Sequence, residues 1–212
     1  MNTIPPHLDH LVLATPDLAA TVADFARRTG VDPAPGGVHV GLGTRNFLVS
    51  LGGSRYLEII GPDPEQPDPE GPRPFEVDAL AGPRVVTWAV ATTDLDAAIT
   101  AAVAAGYDPG PAHPMSRRTP DGGLLAWRLT YGDSAHPSGL VPFLIDWGAS
   151  VHPSASGLPV TPLLDVSATA PEPGAIRPLL AAVGTELALA EGPVRMSFTV
   201  DSPRGTVTFG QP

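Results

Sequence analysis

The sequence predicts an α+β fold built from tandem β-α-β-β-β modules, and an internal repeat is the main reason. The segment HLVLATPDLAATVADFARRTG at 10–30 can be aligned on TWAVATTDLDAAITAAVAAG at 87–106, and a weaker copy, DVSATAPEPGAIRPLLAAVG, occupies 165–184. In each copy a strand-like run is followed by an acidic residue and then by apolar positions spaced for one face of a helix that ends at Gly. Three copies of one strand–helix unit therefore organise the chain.

Further strand-like segments follow each predicted helix and complete the module. They are apolar runs separated by turns that contain Gly, as expected for short antiparallel strands. In chain order they are VHVGLG, NFLVSLG and RYLEII; then the region around HPMSRR, LLAWRLTYG and VPFLIDWG; then TELALA, VRMSFTV and TVTFG. The modules predicted from these patterns span 7–62 and 84–148, with a shorter third module at 161–212.

Two stretches rich in Pro and Gly separate the modules. They are 63–83, which contains most of the acidic string GPDPEQPDPEGPRP, and 149–160, within GASVHPSASGLPV. This composition is typical of solvated linkers. The first stretch has a second interpretation, a lid that lies across the mouth of a cleft.

The composition excludes several classes of function. The 212 residues include no Cys and no Lys, which excludes disulfides, thiolate chemistry and Schiff-base chemistry. The net charge of −10 argues against binding to nucleic acid or to an anionic membrane surface. No apolar run is long enough to cross a bilayer and the N-terminus lacks a secretory signal pattern, so we expect a cytoplasmic protein.

The strings that open and close the modules resemble a known family. In order along 7–152 they are LDHLVLATPDL, GGVHVGLGTRNFLVSLG, YLEIIGPDPEQP, HPMSRRTPDGGLLAWRL and LVPFLIDWG. Together they resemble the glyoxalase-like branch of the vicinal oxygen chelate superfamily, to which glyoxalase I, extradiol dioxygenases and bleomycin-resistance proteins belong. The resemblance implies that the first two modules pair as one domain, whose curved mixed sheet of eight strands surrounds a ligand-binding cleft.

The resemblance also implies where a metal ion would bind. In metal-using members a divalent ion takes ligands from the first and last strands of both modules, and it chelates two adjacent oxygen atoms of the substrate. His10 and Glu58 fall on the first-module positions, but Thr87 and Ile145 fall on those of the second. Asp146 would reach the cleft only if the strand register were shifted, because adjacent strand residues face opposite sides. The ligand set is therefore incomplete, and the sequence does not distinguish Fe, Mn, Ni, Zn or no metal.

The roles of His10 and Glu58 stay open at this point. They are candidate metal ligands, and equally a metal-free catalytic pair in which Glu58 orients the imidazole or acts as base. The plainer alternatives are a histidine at a strand end and a surface carboxylate.

Six further residues are candidates for substrate binding. Each of them also has an explanation that involves no ligand: an exposed position for His39, a turn role for Asn46, solvated positions for the arginines and core positions for the tryptophans. The candidates are His39, Asn46, Arg117, Arg128, Trp88 and Trp147.

Two functions of different classes follow from these patterns. The first is a glyoxalase-like enzyme that binds a small molecule with vicinal oxygens and acts as a metal-assisted lyase, isomerase or dioxygenase. The second is a metal-free protein that binds or sequesters a small molecule, as bleomycin-resistance proteins do. The third module would cap the sheet of its own chain or pair with the same module of a second copy, so a homodimer is a further prediction.

Overall fold

The first two modules have the element order that the repeat predicts. The computed structural model describes residues 4–118, 122–130 and 136–210. The first module contains β1 (Leu8–Ala14), α1 (Leu18–Thr29), β2 (Ala34–His39), β3 (Thr44–Gly52) and β4 (Arg55–Pro62). The second contains β5 (Arg84–Ala91), α2 (Leu95–Ala104), β6 (Ala112–Arg118), β7 (Leu124–Thr130) and β8 (Phe143–Asp146).

The repeated acidic residue begins a helix in both modules. Asp17 accepts a hydrogen bond from the backbone N–H of Ala20, and Asp94 accepts one from that of Ala97, each at 3.0 Å. These bonds satisfy N–H groups that have no partner within the helix. The two modules therefore start their helices by the same local device.

The strands of both modules form one closed barrel, in the order β1-β4-β3-β2-β6-β7-β8-β5, with β5 paired to β1. The pairs β1–β4 and β5–β8 are parallel and the other pairs are antiparallel. The prediction of a curved mixed sheet around a central space is confirmed. The join between β2 and β6 is narrow, since the described pairing there is Val38 opposite Arg118.

The third module has the predicted element order but a different strand order. It contains β9 (Leu163–Ala170), α3 (Pro173–Ala182), β10 (Ala188–Glu191), β11 (Arg195–Val200) and β12 (Val207–Phe209). Its sheet has the order β10-β9-β11-β12, so its first strand pairs in parallel with its second. In the other two modules the first strand pairs in parallel with the last.

The third module packs on its own chain through an aromatic stack. The Phe209 ring stacks on Phe25 of α1, with ring centroids 4.9 Å apart, and on Phe198 of β11, at 5.3 Å. The Arg28 guanidinium lies 4.1 Å from the centre of the Phe209 ring. A second contact joins the residues after α3 to those before β1, where the Thr185 hydroxyl donates to the Pro6 carbonyl at 2.7 Å. The third module thus contacts its own chain, and pairing with a second copy stays a prediction.

The two stretches between modules are more ordered than solvated linkers. Each contains a 3₁₀ helix, Pro74–Ala79 in the first and Pro153–Ala155 in the second. Val77 of the first helix is fully buried. Phe75, two residues before Val77, has a left-handed backbone at φ 60°, an uncommon conformation for a residue other than Gly. Composition alone does not reveal such contacts within the two predicted linkers, whose role stays a prediction.

In the described part of the chain, no helix has the length and apolar character needed to cross a membrane.

The aromatic stack should contribute strongly to stability. We expect Phe209→Ala to lower the free energy of unfolding by about 3 kcal/mol, because the cavity left by a buried ring is only partly refilled. Denaturant titration followed by circular dichroism measures the change. Val151→Ala, at a residue that is 66% exposed, is the control and should change the value by less than about 0.5 kcal/mol. A loss for Phe209→Ala as small as the control's would contradict the packing role.

Candidate functional site

A cleft of about 100 Å³ opens into the barrel and combines apolar walls with a polar floor. A larger open concavity of about 760 Å³ lies on the third-module sheet, but its lining is mostly Ala, Ser, Thr and Gly. The polar side chains that favour chemistry converge in the smaller cleft. Its polar lining is His10, His39, Asn46 and Glu58, and its other lining residues are Leu42, Tyr56, Ile60, Pro74, Phe75, Met115, Trp127, Leu129, Phe143, Ile145 and Trp147.

The Glu58 carboxylate is the centre of the polar floor. Glu58 is 9% exposed, and the Asn46 amide donates to its Oε1 at 2.5 Å. The His10 Nε2 lies 3.9 Å from Oε2, and the His39 Nε2 lies 3.8 Å from Oε1. Both separations are longer than hydrogen bonds. Within the part of the chain that the structure describes, Oε2 accepts no hydrogen bond from the protein, and the carboxylate faces two imidazoles.

Asp9 fixes the His10 ring. Its Oδ1 accepts a hydrogen bond from His10 Nδ1 at 2.7 Å, so Nε2 of this imidazole faces the cleft. Its Oδ2 accepts from His152 Nε2 at 3.1 Å and from Trp147 Nε1 at 3.0 Å. Burial alone would raise the pKa of Asp9, but the hydrogen bonds from His10 and His152 outweigh it and lower the pKa from 3.8 to about 2. Asp9 is an ionised carboxylate that sets the tautomer of His10.

A close backbone approach places the Asn46 amide. A Cβ atom at Gly36 would lie 2.2 Å from Asn46 Oδ1 and 2.8 Å from Leu48 Cγ, so a larger residue would displace the amide. Asn46 Oδ1 is buried against Gly36 without a hydrogen-bond partner. Glycine at position 36 is thus required by packing in β2 rather than by backbone dihedrals.

His39 is held as a neutral ring. Its Nδ1 lies 3.0 Å from the Thr44 hydroxyl, and its Nε2 lies 3.4 Å from Asn46 Nδ2. Burial lowers the pKa of His39 below 6.5, with Arg117 acting in the same direction and the Glu58 carboxylate opposing it. A neutral imidazole beside Glu58 is therefore the form expected at neutral pH.

Arg117 is a buried cation behind this floor. Its guanidinium donates to the Gly36 carbonyl, and burial lowers its pKa below the usual arginine value, while Tyr56 and Glu58 oppose that shift. The structure thus places Arg117 near the carboxylate, although it does not line the cleft wall.

The residues present do not fit the family's metal centre. Ile145 lines the cleft, and the next residue, Asp146, accepts a hydrogen bond from the backbone N–H of Gly148 at 2.8 Å. The register shift that would turn the Asp146 carboxylate into the cleft therefore does not occur. Thr87 lies opposite Val12 and is a poor ligand. Among the residues that the structure describes, no group of three or more His, Asp or Glu side chains has the arrangement of a metal site. We derive no chemical step through a metal ion.

The structure places two predicted cleft residues elsewhere. Trp88 is fully buried in the core and donates to the Leu140 carbonyl at 3.0 Å. Arg128 lies on the outer surface and forms a bidentate pair with Asp96 at 2.8 and 2.9 Å. Strand alternation turns both side chains away from the barrel interior.

The residues that sequence reasoning missed are Asp9, Tyr56 and His152. Tyr56 carries a recognisable signal, since it precedes Glu58 by two residues on one strand and must share its face. Asp9 carries no such signal in the internal repeat. His152 reaches Asp9 from 143 positions away, across the stretch interpreted as a linker.

Asp9 should make stability depend on pH below 4. Its pKa is about 2 in the folded chain and near 3.8 when unfolded, so its ionised form stabilises the fold above pH 4 and this contribution is lost between pH 4 and pH 2. The loss corresponds to about 2 kcal/mol. Denaturant titrations at pH 4 and pH 2 should show a smaller difference for Asp9→Asn than for wild type. The control Asp32→Asn, at an exposed residue, should keep the wild-type difference. The same difference in unfolding free energy between pH 4 and pH 2 for all three proteins would contradict the assignment.

Two solved structures, at TM-scores of 0.59 and 0.50, show the same fold. A hypothetical protein from Staphylococcus aureus is 15% identical, with a TM-score of 0.59 over 98% of this chain and 85% of that one. A mutant of 4-hydroxymandelate synthase from Streptomyces coelicolor is 15% identical, with a TM-score of 0.50 over 100% of this chain and 64% of that one. Methylmalonyl-CoA epimerase from Streptomyces coelicolor, in complex with 2-nitronate-propionyl-CoA, is 22% identical over 71% of this chain and 100% of that one, at a TM-score of 0.43.

No curated protein matches the sequence. The family model of the glyoxalase-like domain matches residues 8–184, which include both barrel modules and the first strand and helix of the third. The chain belongs to the glyoxalase-like domain family, in the vicinal oxygen chelate superfamily.

Proposed function

We propose that the protein binds a small carbonyl compound in the barrel cleft and moves one of its protons with Glu58 and His10, without a metal ion. The observation that carries the proposal is the Glu58 carboxylate, which is buried in an apolar cleft with Oε2 free and an oriented imidazole 3.9 Å away. A positioned carboxylate and a positioned imidazole are the usual partners in general acid–base catalysis.

The two oxygens of Glu58 have different tasks in this proposal. Asn46 holds Oε1, which fixes the plane of the carboxylate, and Oε2 is the atom that accepts a proton from a C–H group next to the substrate carbonyl. His10 Nε2 also faces the cleft, 3.9 Å from Oε2. It removes or returns a second proton, because Asp9 keeps the other ring nitrogen, Nδ1, protonated. The result is an isomerase-type or lyase-type proton transfer.

The cleft walls support a small and largely apolar ligand. Aromatic rings of Tyr56, Phe75, Trp127, Phe143 and Trp147 line the space. Its volume of about 100 Å³ is well below that of ordinary drug-sized pockets. We infer a substrate of a few carbon atoms, with vicinal oxygens facing the polar floor as the family resemblance implies.

The same aromatic walls favour a second candidate, a metal-free protein that binds or sequesters a small molecule. Thr87 and Ile145 at the ligand positions support it as much as they support the metal-free enzyme. Turnover separates the two candidates, because a sequestering protein binds its ligand without exchanging protons with it.

The enzyme should catalyse exchange of carbon-bound protons with solvent, and Glu58→Gln should reduce that rate by at least about 100-fold, because the amide cannot accept a proton. Proton NMR in D₂O, with pyruvate, hydroxyacetone and lactaldehyde as probes, measures the loss of the C–H signal. Glu186→Gln, at an exposed residue, is the matched control and should keep the wild-type rate.

Three outcomes would overturn the proposal. Exchange that survives Glu58→Gln would remove Glu58 as the base. Exchange that is lost after chelator treatment and restored by Fe, Mn, Ni or Zn, with that metal bound to wild type but not to His10→Ala, would establish the metal-assisted enzyme instead. Binding detected by tryptophan fluorescence, with no exchange of any probe, would support the sequestering protein.

We further propose a homodimer located in the cytoplasm. Strand β10 is one edge of the third-module sheet, and an edge strand is a surface on which a second copy can pair. Light scattering should give twice the chain mass of 21.8 kDa, and a monomer mass at micromolar concentration would contradict the dimer. Cell fractionation tests the location.

A further inference from the structure

Tyr56 is fixed beside the candidate base by its ring. It lies on β4 two residues before Glu58, so both side chains enter the barrel from the same face of the strand. Its ring stacks on the His10 imidazole with centroids 4.6 Å apart and planes at 18°, and the His152 ring meets its edge at 5.6 Å. These ring contacts position the phenol without using its hydroxyl group.

The Tyr56 hydroxyl is a donor that the described part of the chain leaves unused, on a residue that lines the cleft. The residue is 5% exposed, and its hydroxyl has no hydrogen-bond partner among residues 4–118, 122–130 and 136–210. Within those ranges, two buried side-chain atoms lack both a partner and any contact with open space, namely Asn46 Oδ1 and Thr161 Oγ1. Tyr56 is not among them, and it is one of the residues that line the cleft. Buried tyrosine hydroxyls are normally hydrogen-bonded, so this one is available to a ligand.

The surroundings keep the hydroxyl protonated. Burial, and then the negative charges of Asp9 and Glu58, raise the pKa of Tyr56 well above 10, and the positive charge of Arg117 opposes them only in part. At neutral pH the group is therefore a neutral donor. The nearby donors Asn46 Nδ2 and Trp147 Nε1 are already bonded to Glu58 and Asp9.

We propose that Tyr56 is a catalytic residue whose hydroxyl donates a hydrogen bond to the substrate carbonyl and stabilises the enolate oxygen that forms when Glu58 removes the adjacent proton. This inference rests on the proposed function and deepens it. The C–H electron pair becomes the carbon–carbon π bond of the enolate, and the carbonyl π pair moves onto oxygen. The proton goes to Glu58 Oε2, and the Tyr56 proton stays on the phenol. Return of the proton to carbon closes the cycle without a co-reactant.

Tyr56 thereby takes the charge-stabilising part that the resemblance gives to a divalent ion. A metal centre needs ligands from both modules, and the second module presents Thr87 and Ile145 at those positions. A neutral donor in a site of low dielectric constant is an effective substitute, because its dipole is already oriented when charge develops. The substrate class that fits is a small 2-oxo or 2-hydroxy carbonyl compound.

The first test is the rate of proton exchange in Tyr56→Phe, which keeps the ring and its stacking on His10. We expect kcat to fall about 100-fold with KM changed less than about threefold, as for loss of one oxyanion donor. Tyr107→Phe, at a half-buried tyrosine outside the cleft, is the matched control and should keep the wild-type kcat. An unchanged melting temperature shows that the variant is folded. A kcat within threefold of wild type would overturn the role of Tyr56.

The second test does not depend on turnover. Oxalate is a planar anion with adjacent oxygens and resembles an enolate, and Glu58→Gln provides the uncharged side chain that the protonated base would present. Calorimetry should show oxalate binding to Glu58→Gln at least about tenfold more tightly than to Tyr56→Phe combined with Glu58→Gln. Equal affinities, or no binding to either protein, would overturn the inference. If oxalate binding depends on Tyr56 while wild type exchanges no probe, the proton-transfer function fails and the donor assignment stands.

Discussion

The polar floor of the barrel depends on one constraint, the burial of the Glu58 carboxylate. A carboxylate removed from water is costly unless nearby groups donate to it or balance its charge. Asn46 donates to Oε1, and it can do so because Gly36 leaves space for its amide. The two imidazoles then lie within 4 Å of the carboxylate oxygens. A single buried acid thus accounts for the residue types on three neighbouring strands of the first module.

The two barrel modules share a backbone and divide the chemistry. Among the described residues, the first supplies the imidazole, amide and carboxylate side chains of the cleft, His10, His39, Asn46 and Glu58, while the second supplies apolar wall such as Met115 and Phe143. Pairing of β1 with β5 brings the two halves together, so that a ligand would contact reactive groups on one side and hydrophobic surface on the other.

The stretches between modules take part in the site, which changes how their composition should be interpreted. Phe75 enters the cleft wall from the first stretch, held by a left-handed backbone and the buried Val77 beside it. His152 in the second donates to Asp9, the carboxylate that orients His10. Proline-rich segments of low hydrophobicity can thus be fixed by a few buried contacts, which composition averages do not reveal.

The sequence by itself determined the module pattern, the helix starts and the position of the candidate base. Periodicity, the Asp caps and strand alternation are local, so the sequence order of residues carries them directly. The tertiary structure decided which faces of β5 and β7 are turned to the barrel interior, so that Trp88 lies in the core and Arg128 outside. It alone brings Asp9, Tyr56 and His152 together around His10. Side-chain placement of this kind depends on barrel closure and on distant contacts such as that between Asp9 and His152, which are 143 positions apart. A local pattern contains no information about which distant side chain will fill a given space.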